Sequence, residues 1–410
     1  MNENDLKALQ ARTVTVLTMG QVLSGFGLGS TLSIGALLAE HISGTAGWSG
    51  AAATFSTLGS AIWAIPLSRI AYSLGRRRAL TTGASVAIIG ATLMITAAAV
   101  MQFWVLLLGL FLLGAGSATG LQARFAATDL PSARSKGRDL SIVVWATTGG
   151  AVIGPNLFGP GEVIGNALHM PHMTGPFLIT IAAQLLAATT FFIGLRPDPL
   201  LTALKANEGK AKPSRSLKAA IETIRNNPRA LYAMIAIALS HMVMVSVMSM
   251  TPVHMEGQHA TLSIIGFTIS LHVAGMYAFS PLFGMLADRI GKLPTVLVGQ
   301  SIFIGALLFA GLGAMSFSTV NIGLFLLGLG WSASTVSGAA LLVESVPLEQ
   351  KTNVQGASDS LMMLSGAFGG AISGSILAAF AFLGLNLSAM IPVAAVVLLS
   401  GIALLRDRNR

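Results

Sequence analysis

The chain is 410 residues long; 53% of its residues are hydrophobic, only 10% are charged, and it contains no cysteine. Soluble globular proteins carry about 25% charged residues, so this composition excludes that class and indicates an integral membrane protein. Without cysteine there are no disulfides and no thiolate metal sites, so any site for a soft metal must use methionine and histidine.

Apolar stretches alternate with short polar breaks along the whole chain. A helix needs roughly 20 mostly apolar residues to cross a bilayer, and windows of that kind can be counted directly. We predict an all-α membrane protein with twelve transmembrane helices. Their approximate limits are residues 13–40, 48–72, 79–99, 102–124, 139–162, 174–196, 229–253, 261–286, 294–314, 318–345, 353–380 and 383–405.

The predicted helices fall into two groups of six. Between the groups the composition changes to Pro, Lys, Asn and Ser, which is typical of a linker. We therefore predict an N-terminal six-helix bundle at residues 1–196, a cytoplasmic linker at 197–228 and a C-terminal six-helix bundle at 229–410. A weak repeat agrees with this division, because residues 74–76 (Leu-Gly-Arg) and 290–292 (Ile-Gly-Lys) occupy equivalent places in the two bundles.

The positive charges predict the orientation in the membrane. All 24 Lys and Arg residues fall on one side of this topology, in the termini, the linker and alternate loops. Because Lys and Arg accumulate in cytoplasmic loops, both termini are predicted to be cytoplasmic. The net charge of +9 then reflects membrane orientation, and nucleic acid is not an expected partner. Since one chain contains both bundles, we expect a monomer surrounded by lipid.

Ionisable side chains inside the spans are scarce. No Lys or Arg lies in the middle third of any predicted helix, which argues against organic anions and phosphates as substrates. Asp359, about two turns inside helix 11, is the candidate for proton coupling or gating. The pattern favours a carrier of neutral or soft cationic substrates, and no enzymatic activity is expected.

Methionine and histidine are concentrated in predicted helices 7 and 8. Seven of the eighteen methionines and four of the seven histidines fall within residues 234–276. Two pairs there are spaced by four residues, Met244 with Met248 and His272 with Met276, so each pair lies on one helix face. Thioether and neutral imidazole are ligands that suit Cu(I).

Counting about 1.5 Å per residue from the predicted outer helix ends places these four side chains at successive depths. From the outside inward the order is Met248, Met244, His272 and Met276, with His254 and Met255 as possible ligands at the mouth. Methionine also fills irregular apolar cores, so packing is an alternative explanation. The residues alone leave open whether His272 and its methionines bind a metal, carry a proton or line a pocket for a neutral molecule.

The segment at residues 284–292, Gly-Met-Leu-Ala-Asp-Arg-Ile-Gly-Lys, resembles the loop motif of the major facilitator superfamily. This resemblance implies a transporter that works by alternating access, with Asp288, Arg289 and Gly291 in a gating role. The N-terminal copy of the motif departs from the pattern, because Tyr72 stands where the acidic residue is expected.

The Met-x-x-x-Met of helix 7 followed by the His-x-x-x-Met of helix 8 is similar to the pattern of the CcoA-type copper importers. The resemblance implies that Met244, Met248, His272 and Met276 bind copper, which is imported through the bacterial inner membrane for cytochrome oxidase assembly. Copper would be the transported substrate, and no permanently bound cofactor is expected.

Two alternatives stay open at this point. The CcoA-like family also includes riboflavin transporters, so riboflavin or another neutral organic solute could bind by stacking on Trp63, Trp145 or Trp331. The helix 5 segment at residues 149–155, Gly-Gly-Ala-Val-Ile-Gly-Pro, resembles a motif of proton-coupled drug antiporters. The second alternative is therefore a drug exporter, although small residues at this spacing also serve helix packing.

Overall fold

The computed structural model of the chain describes residues 3–127, 129–130, 136–206, 217–346 and 351–408. Within these ranges every regular element is a helix, as expected for apolar segments in lipid, where an open strand would leave backbone groups unpaired. The α-helices are α1 (Glu3–Ser43), α2 (Gly50–Leu74), α3 (Arg76–Val100), α4 (Phe103–Ala126), α5 (Lys136–Ile153), α6 (Phe158–Ala167), α7 (Gly175–Gly194), α8 (Pro199–Ala206), α9 (Leu217–Asn226), α10 (Pro228–Gly257), α11 (Leu262–Tyr277), α12 (Ser280–Ile290), α13 (Lys292–Leu312), α14 (Phe317–Glu344) and α15 (Lys351–Arg408). Short 3₁₀ turns lie at Ala46–Trp48 and Gly154–Leu157.

Nine helical segments within the described ranges are long and apolar enough to cross a membrane. One of them, Val354–Leu405 in α15, has 52 residues. At 1.5 Å per residue it is about 78 Å long, more than twice the roughly 30 Å of the hydrocarbon core. Helical geometry is interrupted at Ala381, where φ is 56° and ψ is −174°, so two helical arms meet there. The count of twelve spans and the cytoplasmic position of both termini stay predictions.

Contacts between helices divide the chain into two compact units. Unit 1 comprises Met1–Gly44, Phe55–Ala211 and Thr261–Ser270, and unit 2 comprises Thr45–Thr54, Lys212–Ala260 and Leu271–Arg410. The predicted bundle boundaries at residues 1–196 and 229–410 stay predictions. Of the predicted linker, residues 207–216 lie outside the described part of the chain, and the remainder includes the short helices α8 and α9.

In unit 1, α1 packs against α5 and α7. Leu17 of α1, Val143 of α5 and Phe191 of α7 are fully buried in one apolar cluster. Helices α1 and α5 approach so closely that a Cβ added at Gly150 would overlap the carbonyl oxygen of Val22. Close helix packing therefore accounts for this glycine of helix 5 without any antiporter function.

In unit 2, α10 packs against α14 and α15, and α13 packs against the same two helices. A buried amide joins three of them. Gln300 of α13 donates hydrogen bonds from Nε2 to Ser240 Oγ of α10, at 3.1 Å, and to Ser334 Oγ of α14, at 2.8 Å. Interhelical hydrogen bonds of this kind fix the rotation of neighbouring helices in an apolar interior.

Predicted helix 8 is broken near its middle, which the apolar window does not reveal. Helix α11 ends at Tyr277 and α12 begins at Ser280, although the span as a whole continues from Leu262 to Ile290. Pro281 has no N–H to donate to the carbonyl of Tyr277, four residues earlier. That carbonyl instead accepts a hydrogen bond from Ser280 Oγ at 2.8 Å.

Candidate solute site in unit 2

His272 is fully buried on α11 and bonded to the neighbouring helix α14. Its Nδ1 lies 2.8 Å from the carbonyl oxygen of Leu324. A carbonyl oxygen only accepts, so Nδ1 carries the proton, and in the neutral ring Nε2 keeps a lone pair. Among the described residues Nε2 has no hydrogen-bond partner. The structure thus leaves a buried acceptor at this position.

Close helix contact brings His272 to that carbonyl. A Cβ added at Gly328 of α14 would overlap the carbonyl oxygen of His272, and one added at Gly275 of α11 would lie 2.6 Å from the carbonyl oxygen of Phe325. Only residues without side chains allow two backbones to approach to this degree. The two glycines therefore position the imidazole against the backbone of α14.

The methionines of the predicted copper set are mostly buried. Met244 of α10 is 4% exposed, Met276 of α11 is 6% exposed, and Met248 is half-buried. The described residues contain no group of three or more His, Cys, Asp or Glu side chains that could hold a metal ion. A metal here would accordingly depend on His272 and thioether sulfur, and this role stays a prediction.

Of the two predicted mouth ligands, His254 is half-buried. The ring of His254 stacks on Phe382, with centroids 4.2 Å apart and an angle of 2° between the planes. Its Nε2 lies 2.8 Å from the carbonyl oxygen of Ala314. Met255 is fully buried. Their role as ligands stays a prediction.

His241, which no sequence pattern singled out, is hydrogen-bonded to a tryptophan on another helix. Trp331 of α14 donates a hydrogen bond from Nε1 to His241 Nδ1 at 3.1 Å, and the ring of Tyr277 packs edge-on against Trp331 with centroids 5.7 Å apart. His241 Nε2 has no hydrogen-bond partner among the described residues. It faces Gly366 of α15, where an added Cβ would lie 3.0 Å away. An ionisable residue inside a span is a functional candidate by default, and that signal was present in the sequence.

The three rings lie near mid-membrane depth. His241 and Trp331 are close to the midpoints of α10 and α14. Tyr277 is close to the midpoint of the span Leu262–Ile290, directly before the break between α11 and α12. Broken helices at this depth are typical of substrate sites in secondary transporters. We therefore name His241, Tyr277 and Trp331 the ring cluster.

The other tryptophans predicted to stack on a solute differ from Trp331. Trp331 is 9% exposed, whereas Trp145 of α5 is 64% exposed. Trp63 of α2 is half-buried, and its Nε1 has no hydrogen-bond partner within the described residues. Of the three, Trp331 is the one hydrogen-bonded to a buried histidine.

The predicted gating residues lie at the junction of α12 and α13. Asp288 and Arg289 are exposed, and Gly291 has φ of 97°. Lys292 Nζ lies 2.9 Å from Glu344 Oε1 of α14 and 3.7 Å from Asp288 Oδ1. The lysine therefore links the ends of three helices. The gating role stays a prediction, as does proton coupling by Asp359, which is half-buried on α15.

A helical membrane protein with buried hydrogen-bonding groups at mid-membrane depth fits the class of membrane transporters. The chain belongs to the Major Facilitator Superfamily, which its sequence matches over residues 17–370 and again over residues 254–410.

Relatives and solved structures agree with this family. The uncharacterized MFS-type transporter YdeG of Bacillus subtilis is 36% identical over 383 residues, which are 93% of this chain and 89% of YdeG. The riboflavin transporter RfnT of Brucella anthropi is 26% identical over 373 residues, 89% of each chain. The crystal structure of the nucleoside transporter NupG matches with a TM-score of 0.72 and 14% identity over 95% of this chain and 98% of NupG, which shows the fold alone. These comparisons support the superfamily and not the copper-importer subfamily.

Proposed function

We propose that the chain transports a neutral, planar organic solute of the riboflavin class across the bacterial inner membrane. The observation that carries this proposal is the ring cluster at mid-membrane depth. Aromatic side chains in a buried site bind flat rings by stacking, and a few polar groups orient them. The relative RfnT, named a riboflavin transporter, supports this class of solute.

The charge of the surrounding helices favours a neutral solute. The sequence has no Lys, Arg, Asp or Glu at residues 230–255 of α10, in α11, or at residues 317–343 of α14. A charged solute in such a site would lose its hydration without gaining an opposite charge. A neutral ring with hydrogen-bonding edges loses much less hydration free energy on entering such a site.

Transport in this proposal alternates the access of the site to the two sides of the membrane. The loop that contains Asp288, Arg289 and Gly291 is the candidate gate, because its neighbour Lys292 joins the ends of α12, α13 and α14. Asp359 is the candidate for proton coupling.

Uptake of radiolabelled riboflavin by bacteria that cannot synthesise it tests the proposal. Cells that express the protein should take up riboflavin faster than cells with an empty vector. Trp331→Ala should lower the rate roughly tenfold, since aromatic stacking and a buried hydrogen bond are both lost. Trp104→Ala is the matched control, because Trp104 is 74% exposed on α4. Equal uptake with and without the protein would contradict the proposal.

Copper import is a second candidate, favoured by one observation. His272 Nε2 keeps a lone pair without a partner among the described residues, and the sulfur of Met276 lies one helical turn further along α11. With Met244 and Met248, these residues offer the soft ligands that Cu(I) prefers. Copper would be the substrate.

Accumulation of a radioactive copper isotope distinguishes this candidate. It should fall with His272→Ala and with Met276→Leu, which keeps the apolar volume but removes the sulfur. Met19→Leu is the control, because Met19 is 53% exposed on α1. Accumulation that Met276→Leu leaves unchanged would remove copper as a candidate.

A further inference from the structure

We infer that His241 and His272 are held in opposite tautomers and present the solute with one hydrogen-bond donor and one hydrogen-bond acceptor. This inference rests on the proposed function and names the polar edge that a solute must carry. Both free atoms are Nε2 nitrogens, both are buried, and both lack a hydrogen-bond partner within the described residues. Their chemical difference follows from what each Nδ1 is bonded to.

The tautomer of His241 is determined by Trp331. An indole N–H only donates, so the Nδ1 atom that it contacts at 3.1 Å must hold a lone pair. A protonated, cationic ring has N–H at both positions and cannot accept this bond. The ring of His241 is therefore neutral and carries its proton on Nε2, which is a hydrogen-bond donor.

The tautomer of His272 is determined by the backbone of α14. The carbonyl oxygen of Leu324 only accepts, so the Nδ1 atom 2.8 Å away carries the proton. An ionised imidazole without a counter-charge is strongly disfavoured in a fully buried site. The ring is neutral and its Nε2 is an acceptor.

Helix α14 supplies the hydrogen-bond partners of both histidines. Leu324 and Trp331 are seven residues apart, so they lie about two turns and roughly 10 Å apart along one face of α14. One face of α14 therefore supplies both the carbonyl oxygen bonded to His272 and the indole bonded to His241.

A solute that matches this arrangement is a heteroaromatic molecule with both an acceptor, such as a carbonyl or ring nitrogen, and an N–H or O–H donor. A buried donor or acceptor left unpaired costs free energy, which a matching solute recovers and a hydrocarbon or quaternary ammonium ion cannot. Neither Nε2 atom is exposed in this conformation. In this proposal the solute reaches them in another conformation of the transport cycle.

Asparagine and glutamine substitutions separate solute contact from structural support. An asparagine amide reaches about as far as Nδ1 of histidine, and a glutamine amide about as far as Nε2. Riboflavin uptake should fall roughly tenfold for His241→Asn and for His272→Asn, and stay within about threefold of wild type for the glutamine variants. His169→Asn is the control, because His169 is exposed and has φ of 54°, which asparagine tolerates. If the asparagine variants took up riboflavin faster than the glutamine variants, the histidines would serve only to support α14. That result would overturn the inference.

Nitrogen NMR of the detergent-solubilised protein with ¹⁵N-labelled histidine tests the tautomers without any transport assay. The ring nitrogens of a neutral imidazole have well-separated shifts depending on which one is protonated. The signals missing in His241→Gln and His272→Gln identify the two rings. We expect protonation at Nε2 for His241 and at Nδ1 for His272. Trp331→Phe should change the signals of His241 and leave those of His272 unchanged.

Riboflavin uptake tests the proposed function, and nitrogen NMR tests the tautomers independently of it. If the wild-type protein takes up no riboflavin, the proposed function fails, while the NMR signals still decide the tautomers. If riboflavin is taken up but both rings show the same tautomer, the inference fails and the proposed function stands.

Discussion

The loop at residues 74–76 in unit 1 and the loop at residues 290–292 in unit 2 share a backbone turn but differ in their ion pairs. Gly75 has φ of 93° and ψ of 166°, and Gly291 has φ of 97° and ψ of 155°. Both conformations lie in a region that only glycine adopts readily. The chain thus uses one turn twice, and the residues around each turn decide what it does.

In unit 1 the ion pair is enclosed. Arg76 contacts Asp129 through two nitrogens, at 2.7 Å and 3.1 Å, and the two side chains are 14% and 11% exposed. In unit 2, Lys292 contacts Glu344 at 2.9 Å, but the glutamate is 58% exposed. A bidentate pair shielded from water is stable, whereas a lysine pair open to water is weak and screened by salt. The comparison indicates a fixed turn in unit 1 and a breakable one in unit 2.

The acidic partners in unit 1 come from outside the motif. Tyr72 stands in place of the motif's acidic residue. Asp129 follows α4, and Asp198 precedes α8 and accepts hydrogen bonds from the backbone N–H of Arg77 at 2.8 Å and of Leu200 at 3.1 Å. Carboxylates from two other segments thus surround the first turn.

Replacing each turn glycine with alanine should give the largest difference in stability between the two turns. Gly75→Ala meets both a strained backbone and the carboxylate of Asp198, which an added Cβ would overlap, so we expect a loss of about 3 to 4 kcal/mol of stability. At Gly291 the nearest atom is Pro294 Cδ, 3.4 Å from the added Cβ. Gly291→Ala should therefore cost about 2 kcal/mol, from backbone strain alone. Thermal unfolding in detergent measures both, and equal losses would show that Asp198 does not enclose the first turn.

Replacing the acidic residue of each ion pair with its amide should give the next largest difference in stability between the two turns. Asp129→Asn leaves the poorly exposed guanidinium of Arg76 without its counter-charge, so we expect a loss of about 2 kcal/mol. Glu344→Gln should leave the unfolding temperature unchanged and instead raise hydrogen exchange at residues 284–292. If Glu344→Gln destabilised the protein as much as Asp129→Asn, the contrast between a fixed and a breakable turn would be wrong.

Removing the charge of Asp198 should have a smaller effect. Asp198→Asn keeps the shape of the side chain but weakens its hydrogen bonds to backbone N–H groups, because the acceptor is no longer ionised. We expect a loss of about 1 kcal/mol in thermal unfolding. Glu222→Gln, at an exposed position on α9, is a suitable comparison.

Salt should produce the smallest change. Raising the ionic strength from about 0.1 to 1 M shortens the screening length from about 10 to 3 Å, which weakens exposed pairs most. Hydrogen exchange at residues 284–292 should rise by less than about twofold in the wild-type protein, and exchange at residues 74–80 should not change. A salt response confined to the first turn would reverse the assignment of the two turns.

Much of the fold was predictable because membrane spans are encoded by length and apolarity. Nine helical segments of the described residues are long and apolar enough to cross a membrane, and the turn at Gly291 was visible in the loop motif. The break after Tyr277 was missed, although Pro281 marks it, because a proline within an apolar window can also be accommodated in a continuous, kinked helix.

The candidate site was only partly predictable. His272 and Met276 stood out by composition, and Trp331 by its possible stacking role. His241 was passed over, since nothing near it in the chain indicates a partner. Trp331 is 90 residues away from His241, and Leu324 is 52 residues away from His272.

Sequence alone is sufficient for the membrane class, the apolar segments and the scarcity of buried charge, because each of these is a property of consecutive residues. Only the packed structure determines which nitrogen of each histidine is free. That outcome depends on how α10, α11 and α14 are rotated about their axes, and helices that are apolar on every side carry little periodic signal of their rotation. Close packing at Gly275 and Gly328 sets the contact between α11 and α14, and it thereby makes His272 Nε2 an acceptor.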